Sequence, residues 1–189
     1  MNKSELRKKY KLLRNELTEE LIDTYSIDIA NQLLKLPIWE KSFFHLFLSI
    51  QEKKEIDTSF ILNILQGKDK EILISKSDFN SRLMKNYLLT ENTLIKKNKY
   101  NIPEPVDGIE VPVDKIEVVF IPLLAYDKKG NRVGYGKGFY DTFLASCNTN
   151  TLKIGLSFFE AEEQIEGARA NDIPLDYCIT PKNIYHFTI

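Results

Sequence analysis

The chain has 189 residues, enough for one well-buried core and short for two. Its 43% hydrophobic and 28% charged content exclude disorder as the default, and a formal net charge of -1 argues against a protein built to grip a nucleic-acid backbone. No apolar run approaches a membrane span or the core of a signal peptide, and two distant cysteines (Cys147, Cys178) point to a reduced, cytoplasmic setting without disulfides or a zinc site.

Residues 3–17 predict a helix, because Leu6, Tyr10, Leu13 and Leu17 fall on one stripe. Lys3, Arg7, Lys11 and Arg14 form a basic stripe beside it, which is either a solvated face or the wall of a cleft. Thr18 caps a second helix, with Glu19 and Glu20 in its first turn, an apolar stripe of Leu21, Tyr25, Ile29 and Leu33, and Pro37 at its end. Residues 43–49 read as a buried strand in which His45 is a packed or hydrogen-bonded core histidine rather than a catalytic one. The polar residues 50–55 then lie at the carboxyl end of that strand, where open α/β sheets bind ligands. Asp57 caps a helix through Leu65 that Gly67 closes, and residues 71–75 form a second strand, completing a βαβ unit. Residues 77–99 carry no clear period. Leu88, Leu89, Leu94 and Ile95 suit strands of an edge meander, and residues 100–105, with Pro103 and Pro105, read as a rigid extended linker.

The segment 116–141 is the most informative. An apolar run from Val118 to Ala125, broken only by Pro122, suits a strand buried on both faces with the proline near its carboxyl end. Asp127 to Asn131 form a turn. Arg132-Val133-Gly134-Tyr135-Gly136-Lys137-Gly138 follows, and from there a helix runs to about Ser146. Glycines at alternate positions are costly to order. Placed between a buried strand and a helix N-terminus, with Arg132 and Lys137 beside them, they make an anion-binding loop whose amides can approach phosphates. The pattern is neither a P-loop nor G-x-G-x-x-G. Asp141 lies one turn into the helix and, with Asp176 before the final strand, would suffice to hold Mg²⁺ on phosphates, although a helix cap or surface ion pair is as good a reading of either acid. Residues 151–158 and the segment ending at Thr180 supply the last strands. The fold expected is α/β: a three-layer αβα Rossmann-like sandwich on a mostly parallel sheet, in one domain spanning 1–189. Physical reading alone reaches an enzyme of nucleotide phosphates using Mg²⁺ and stops there.

The residues Phe120-Ile-Pro-Leu-Leu-Ala-Tyr-Asp127 and Gly130-Asn-Arg-Val-Gly-Tyr-Gly-Lys-Gly-Phe-Tyr-Asp141 resemble the signature of the 5-formyltetrahydrofolate cyclo-ligase family. Lys3-Ser-Glu-Leu-Arg7, Phe47-Leu-Ser-Ile-Gln51 with Glu55, Asn101-Ile-Pro-Glu-Pro105 and Asp172-Ile-Pro-Leu-Asp176 follow in the family's order. The resemblance implies ATP-dependent closure of 5-formyltetrahydrofolate to 5,10-methenyltetrahydrofolate, releasing ADP and phosphate through a phosphorylated formyl group. It implies that ATP is bound by Lys3, Ser4, Glu5, Leu6, Arg7, Arg132, Val133, Gly134, Tyr135, Gly136, Lys137, Gly138, Phe139 and Tyr140. The folate would contact Ile50, Glu55 and the residues Tyr135, Gly136, Lys137, Gly138 and Phe139, while Asp141 and Asp176 hold Mg²⁺. Lys3, Arg7, Arg132 and Lys137 would neutralise charge on the transferring group. A monomer with no nucleic-acid or membrane partner is expected. The chain departs from the family pattern at Phe139 (commonly Tyr), Thr142 (Arg), Ser75-Lys76 (a proline-containing segment) and Asn171 (His). Two rivals are a non-catalytic nucleotide- or folate-binding protein on the same fold and a sugar-phosphate isomerase, neither of which would consume ATP.

Overall fold

The computed structural model describes residues 1–167 and 172–187. Helix α1 (Lys3–Asn15) starts where Asn2 accepts the amides of Ser4 and Glu5, while Glu5 returns the favour to the Asn2 amide at 2.9 Å. Such a capping box satisfies otherwise orphaned donors of the first turn. Thr18 accepts the Leu21 amide to start α2 (Glu19–Leu33) as expected, but Leu21 itself is 39% exposed and Ile22 takes its place against the core. Position 22 lies one residue nearer the arc that Ile29 and Leu33 bury.

The remaining elements are β1 (Phe43–His45), α3 (Ser59–Gly67), β2 (Glu71–Ser77), β3 (Met84–Leu88), β4 (Ile95–Lys97), β5 (Pro103–Pro105), β6 (Val118–Pro122), β7 (Ala125–Tyr126), β8 (Arg132–Val133), α4 (Phe139–Ser146), β9 (Leu152–Leu156), β10 (Tyr177–Ile179) and β11 (Ile184–His186). The seven-stranded sheet runs β11-β10-β9-β6-β1-β2-β3; its five inner strands are parallel, and β3 and β11 are antiparallel edges. Alternation along the strands sorts the core into two layers. Phe44, Ile72, Val118, Phe120, Ile154 and Ile179 face α2 and α3, where Ile29, Leu33, Ile61 and Leu65 cover them. Leu73, Val119, Ile121 and Cys178 face Phe143 and Leu144 of α4. A third cluster docks Leu6 and Tyr10 of α1 against Leu124, Ala125 and Val133, beyond the end of β6. The layered α/β architecture is therefore the one expected.

Several local expectations change. Strand β1 ends at His45, earlier than residue 49, because the chain beyond Leu46 leaves the sheet for the cleft; the Leu46 amide makes the last bond to β2, at 2.9 Å from the Leu73 carbonyl. Thr58, not Asp57, is the N-cap of α3, although the Asp57 carboxylate still accepts the Ser59 amide. Residues 100–105 are not a linker: β5 pairs antiparallel with β4 in a separate two-stranded ribbon, and only β3 joins the main sheet. The apolar run through Ala125 divides into β6 and the short hairpin β7–β8, whose turn is tied by the buried Asp127 carboxylate accepting the Lys129 and Asn131 amides.

Candidate functional site

Strand order decides where a ligand fits. From β1 the chain crosses to β2 on one side, whereas β6, β9 and β10 advance on the other, so the order reverses between β1 and β6. A crevice opens outside the carboxyl ends of strands at such a reversal. Here it is a cavity of about 600 Å³, bounded by Phe47 and Leu48 after β1, Ser75 and Ser77 of β2, and Pro122 and Leu124 at the end of β6.

One half of the cleft is cationic. Lys3, Arg7, Lys11 and Arg14 all line it, so the basic stripe of α1 is a cleft wall. Arg7 Nε donates to the Gly134 carbonyl at 2.9 Å, fixing the loop to the helix. Gly136 has φ of 90°, and a Cβ there would stand 3.1 Å from both Cζ and Nε of Arg7. That position therefore needs glycine for backbone and for space alike. Arg132 keeps only 7% of its side chain exposed and donates from Nη2 to Asp141 Oδ1 at 2.6 Å and from Nη1 to the Ile173 carbonyl. Burial lowers the Arg132 pKa, opposed by the charges of Asp141 and Asp172. Lys3 pairs with Asp172 at 2.5 Å, and Lys137 stands exposed at the rim. Gly138, left-handed, caps α4 without a side chain and leaves the amides of its first turn open to the cleft.

The other half is polar at its base and aromatic on its wall. Glu55 is buried, with Oε2 accepting the Ile50 amide at 2.8 Å and Oε1 accepting the Tyr135 hydroxyl at 2.7 Å. The same hydroxyl accepts from Arg14 Nη1 at 2.7 Å, and Arg14 Nη2 donates to the Leu123 carbonyl, also at 2.7 Å. One string of bonds thus joins α1, the glycine loop and the 50–55 loop. Burial pushes the Glu55 carboxyl up, against the Ile50 amide, the Tyr135 hydroxyl and the charges of Arg14 and Lys53. Burial likewise raises the phenols of Tyr135 and Tyr140, so both stay protonated. Phe79 packs edge-on to Phe139 (ring centroids 5.0 Å) and against Tyr100 (4.3 Å), forming a wall suited to a flat ring.

Most of the sequence-predicted site residues meet here: Lys3, Arg7, Arg132, Asp141, Ile50 and Glu55 line the cleft, as does every loop position from 134 to 140. Ser4 and Glu5 instead lie exposed at the capped end of α1, and Leu6 and Val133 are buried in the third cluster. Asp176 does not line the cleft. Its carboxylate accepts the Lys153 amide at 2.7 Å and pairs with the Lys153 ammonium at 2.9 Å. Asp141 and Asp176 are thus not gathered on one cleft wall; the acid placed near Lys3 and Arg132 is Asp172. Among the described residues, no group of three or more metal-ligating side chains forms. The sequence reading held Arg14 in the basic stripe without counting it among the binding residues, and its core histidine, His45, is indeed buried; Ser75, Phe79 and Tyr100 were missed as cleft residues. The signal for Phe79 and Tyr100 was faint, because the stretch that holds them carries no clear period. Phe139 keeps its ring in the aromatic wall, Thr142 donates to the Gly138 carbonyl at 3.2 Å, and Asn171 lies outside the described residues.

Fold and cleft together define a doubly wound α/β protein whose ligand site sits at the topological switch point. The sequence profile of the 5-formyltetrahydrofolate cyclo-ligase family matches residues 1–181. A probable 5-formyltetrahydrofolate cyclo-ligase of Schizosaccharomyces pombe is 27% identical, over 97% of each chain. The 5-formyltetrahydrofolate cyclo-ligase of Haemophilus influenzae is 32% identical over 64% of this chain and 67% of its own. The solution structure of Aquifex aeolicus 5,10-methenyltetrahydrofolate synthetase superposes with a TM-score of 0.85 at 29% identity, covering 100% of this chain and 94% of that one. The chain belongs to the 5-formyltetrahydrofolate cyclo-ligase family and is an enzyme of that type.

Proposed function

We propose that the protein closes 5-formyltetrahydrofolate to 5,10-methenyltetrahydrofolate with consumption of ATP and assistance from Mg²⁺, acting as a cytoplasmic monomer. The observation that carries this reading is the division of a single cleft. A cationic, glycine-lined half adjoins a half with a buried carboxylate and an aromatic wall, so a polyphosphate and a flat ring would lie side by side. ATP is assigned to Lys3, Arg7, Arg132, Lys137 and the loop amides. The folate is assigned to Glu55, Ile50 and the aromatic wall, with Tyr135 between the two.

In the reaction proposed, the formyl oxygen attacks the γ-phosphorus and ADP leaves; N10 then attacks the activated carbon, and the former formyl oxygen departs with phosphate as N10 loses its proton. Such a sequence needs positioning and neutralisation of developing charge more than a protein nucleophile. Arg7 is held by the Gly134 carbonyl and Arg132 by Asp141, so both guanidiniums are oriented before any ligand arrives. The donor set fits Mg²⁺ in a limited way: Asp141, 44% exposed on the cleft wall, offers one carboxylate, which with phosphate oxygens and water meets that ion's usual needs. When bound, Mg²⁺ would neutralise phosphate charge. Asp176, occupied by Lys153, supports no such role from its position.

Absorbance in the methenyl-folate band tests the reading, using purified protein, 5-formyltetrahydrofolate and Mg²⁺ with and without ATP. Growth of the band only with ATP is expected. Nucleotide binding without any growth of the band would instead identify a non-catalytic binding protein.

A further inference from the structure

His45 lies at the end of β1 in the floor of the cleft, fully buried, with its ring against Phe143 (centroids 4.9 Å) and edge-on to Tyr140 (6.2 Å). Its Nε2 stands 2.5 Å from Ser75 Oγ, and the Ser75 hydroxyl reaches Asn86 Oδ1 at 3.1 Å. His45 Nδ1 has no partner among the described residues. Burial lowers the His45 pKa to about 3, so the ring is neutral and carries one N–H.

Those contacts fix the polarity of the string. Were Nδ1 protonated, a buried N–H would be orphaned, which is rarer and costlier in proteins than an unused lone pair. Nε2 therefore carries the proton and donates to Ser75 Oγ. The Ser75 hydrogen is directed to Asn86 Oδ1. What remains on Ser75, a residue lining the cleft, is a lone pair held in place by two neighbours. A hydroxyl that rotates freely could meet either a donor or an acceptor; this one meets only a donor.

We propose that Ser75 Oγ is a fixed hydrogen-bond acceptor that recognises an N–H of the reduced pterin, on its 2-amino group or at N8, with His45 and Asn86 as the positioning residues that set its polarity. The proposal rests on the placement of folate in this half of the cleft. A pterin carries N–H groups on its 2-amino position, N3 and N8, whereas an acceptor-only ring edge would meet lone pair against lone pair. Discrimination of this kind is strong because the mismatched partner leaves a buried polar group unpaired.

The test compares steady-state kinetics of the full-length wild-type protein with those of Ser75→Ala and His45→Phe, the latter keeping a ring between Tyr140 and Phe143. Ser75→Ala is expected to raise the KM for 5-formyltetrahydrofolate about five- to tenfold, the loss of one hydrogen bond, with the KM for ATP within twofold of wild type. His45→Phe should raise the folate KM in the same direction while kcat changes less, because it frees the Ser75 hydroxyl without removing it. Folate analogues with the 2-amino group replaced by methyl, or N8–H by methylene, complete the cycle. One of them should bind wild type about tenfold more weakly than the parent folate yet bind Ser75→Ala as that variant binds the parent. An unchanged folate KM in a folded Ser75→Ala protein, or equal losses for both analogues on both proteins, overturns the assignment. If wild type binds nucleotide but no folate, the functional reading fails and this proposal falls with it; if wild type turns over and Ser75→Ala is indistinguishable, only this proposal fails.

Discussion

At the scale of single residues, the site depends on two positions with little freedom to change. A β-branched side chain at Gly136 would meet both a left-handed backbone and the Arg7 guanidinium. The backbone strain alone is about 1–3 kcal/mol. Gly136→Val is therefore expected to displace Arg7 from the loop and weaken ATP binding at least tenfold, while far-ultraviolet circular dichroism stays that of the wild type; wild-type-like affinity in a nucleotide titration would remove the loop from the phosphate site. Asp141 has two tasks, pairing with Arg132 and offering its free oxygen to the cleft. Asp141→Asn should shift the Mg²⁺ concentration for half-maximal rate upward by about tenfold, and activity unchanged at limiting Mg²⁺ would assign the ion elsewhere. Much of this geometry was legible from the glycine spacing and its two cations. Asp172 was legible as an acid near the final strand, but its pairing with Lys3 spans 169 positions and no local pattern encodes such a partner.

Among the elements, α1 shows what amphipathic spacing can and cannot say. Its apolar stripe and adjacent basic stripe were readable, yet a wheel diagram treats a solvated edge and a cleft wall alike. The sheet decides between them, because docking Leu6 and Tyr10 beyond β6 turns Arg14 inward, where it is 6% exposed. Arg14→Met would leave the Leu123 carbonyl without that donor and the Tyr135 hydroxyl free to rotate from Glu55. We expect a loss of about 1–3 kcal/mol in urea denaturation together with a raised folate KM; a variant matching wild type in both would reduce the string of bonds to packing. The ribbon of β4 and β5 was illegible for a physical reason. Strand β4 is exposed throughout and β5 begins and ends in proline, so neither carries the alternation that burial of one face imposes. The aromatic wall, to which the turn between them contributes Tyr100, was lost with it.

For the whole molecule, stability must depend on pH through groups buried in the cleft. His45 has a folded pKa of about 3 against 6.5 when unfolded, so between those values the unfolded state binds the extra proton and stability falls as pH falls. The slope is about 1.4 kcal/mol per pH unit in that window. Glu55 acts with the opposite sign: its raised pKa makes the folded state take up a proton first, so its contribution grows as pH drops through that value. Urea midpoints at pH 7 and pH 5 should show a smaller loss for His45→Phe than for wild type, and equal losses would mean that His45 is charged or exposed in the folded protein.

Arg7 meets the Gly134 carbonyl across 127 positions of chain, and that separation has a consequence in time. During synthesis the first helix emerges long before the hairpin it must dock against, and at ribosomal speed the interval is on the order of ten seconds. Throughout that wait its apolar stripe has no sheet to cover it. The cationic half of the cleft therefore closes after β6, β7 and β8 have been made, and Lys3 waits longer still for Asp172. Any nascent chain stalled before the glycine loop would carry an uncovered amphipathic helix, the kind of exposed surface that chaperones bind.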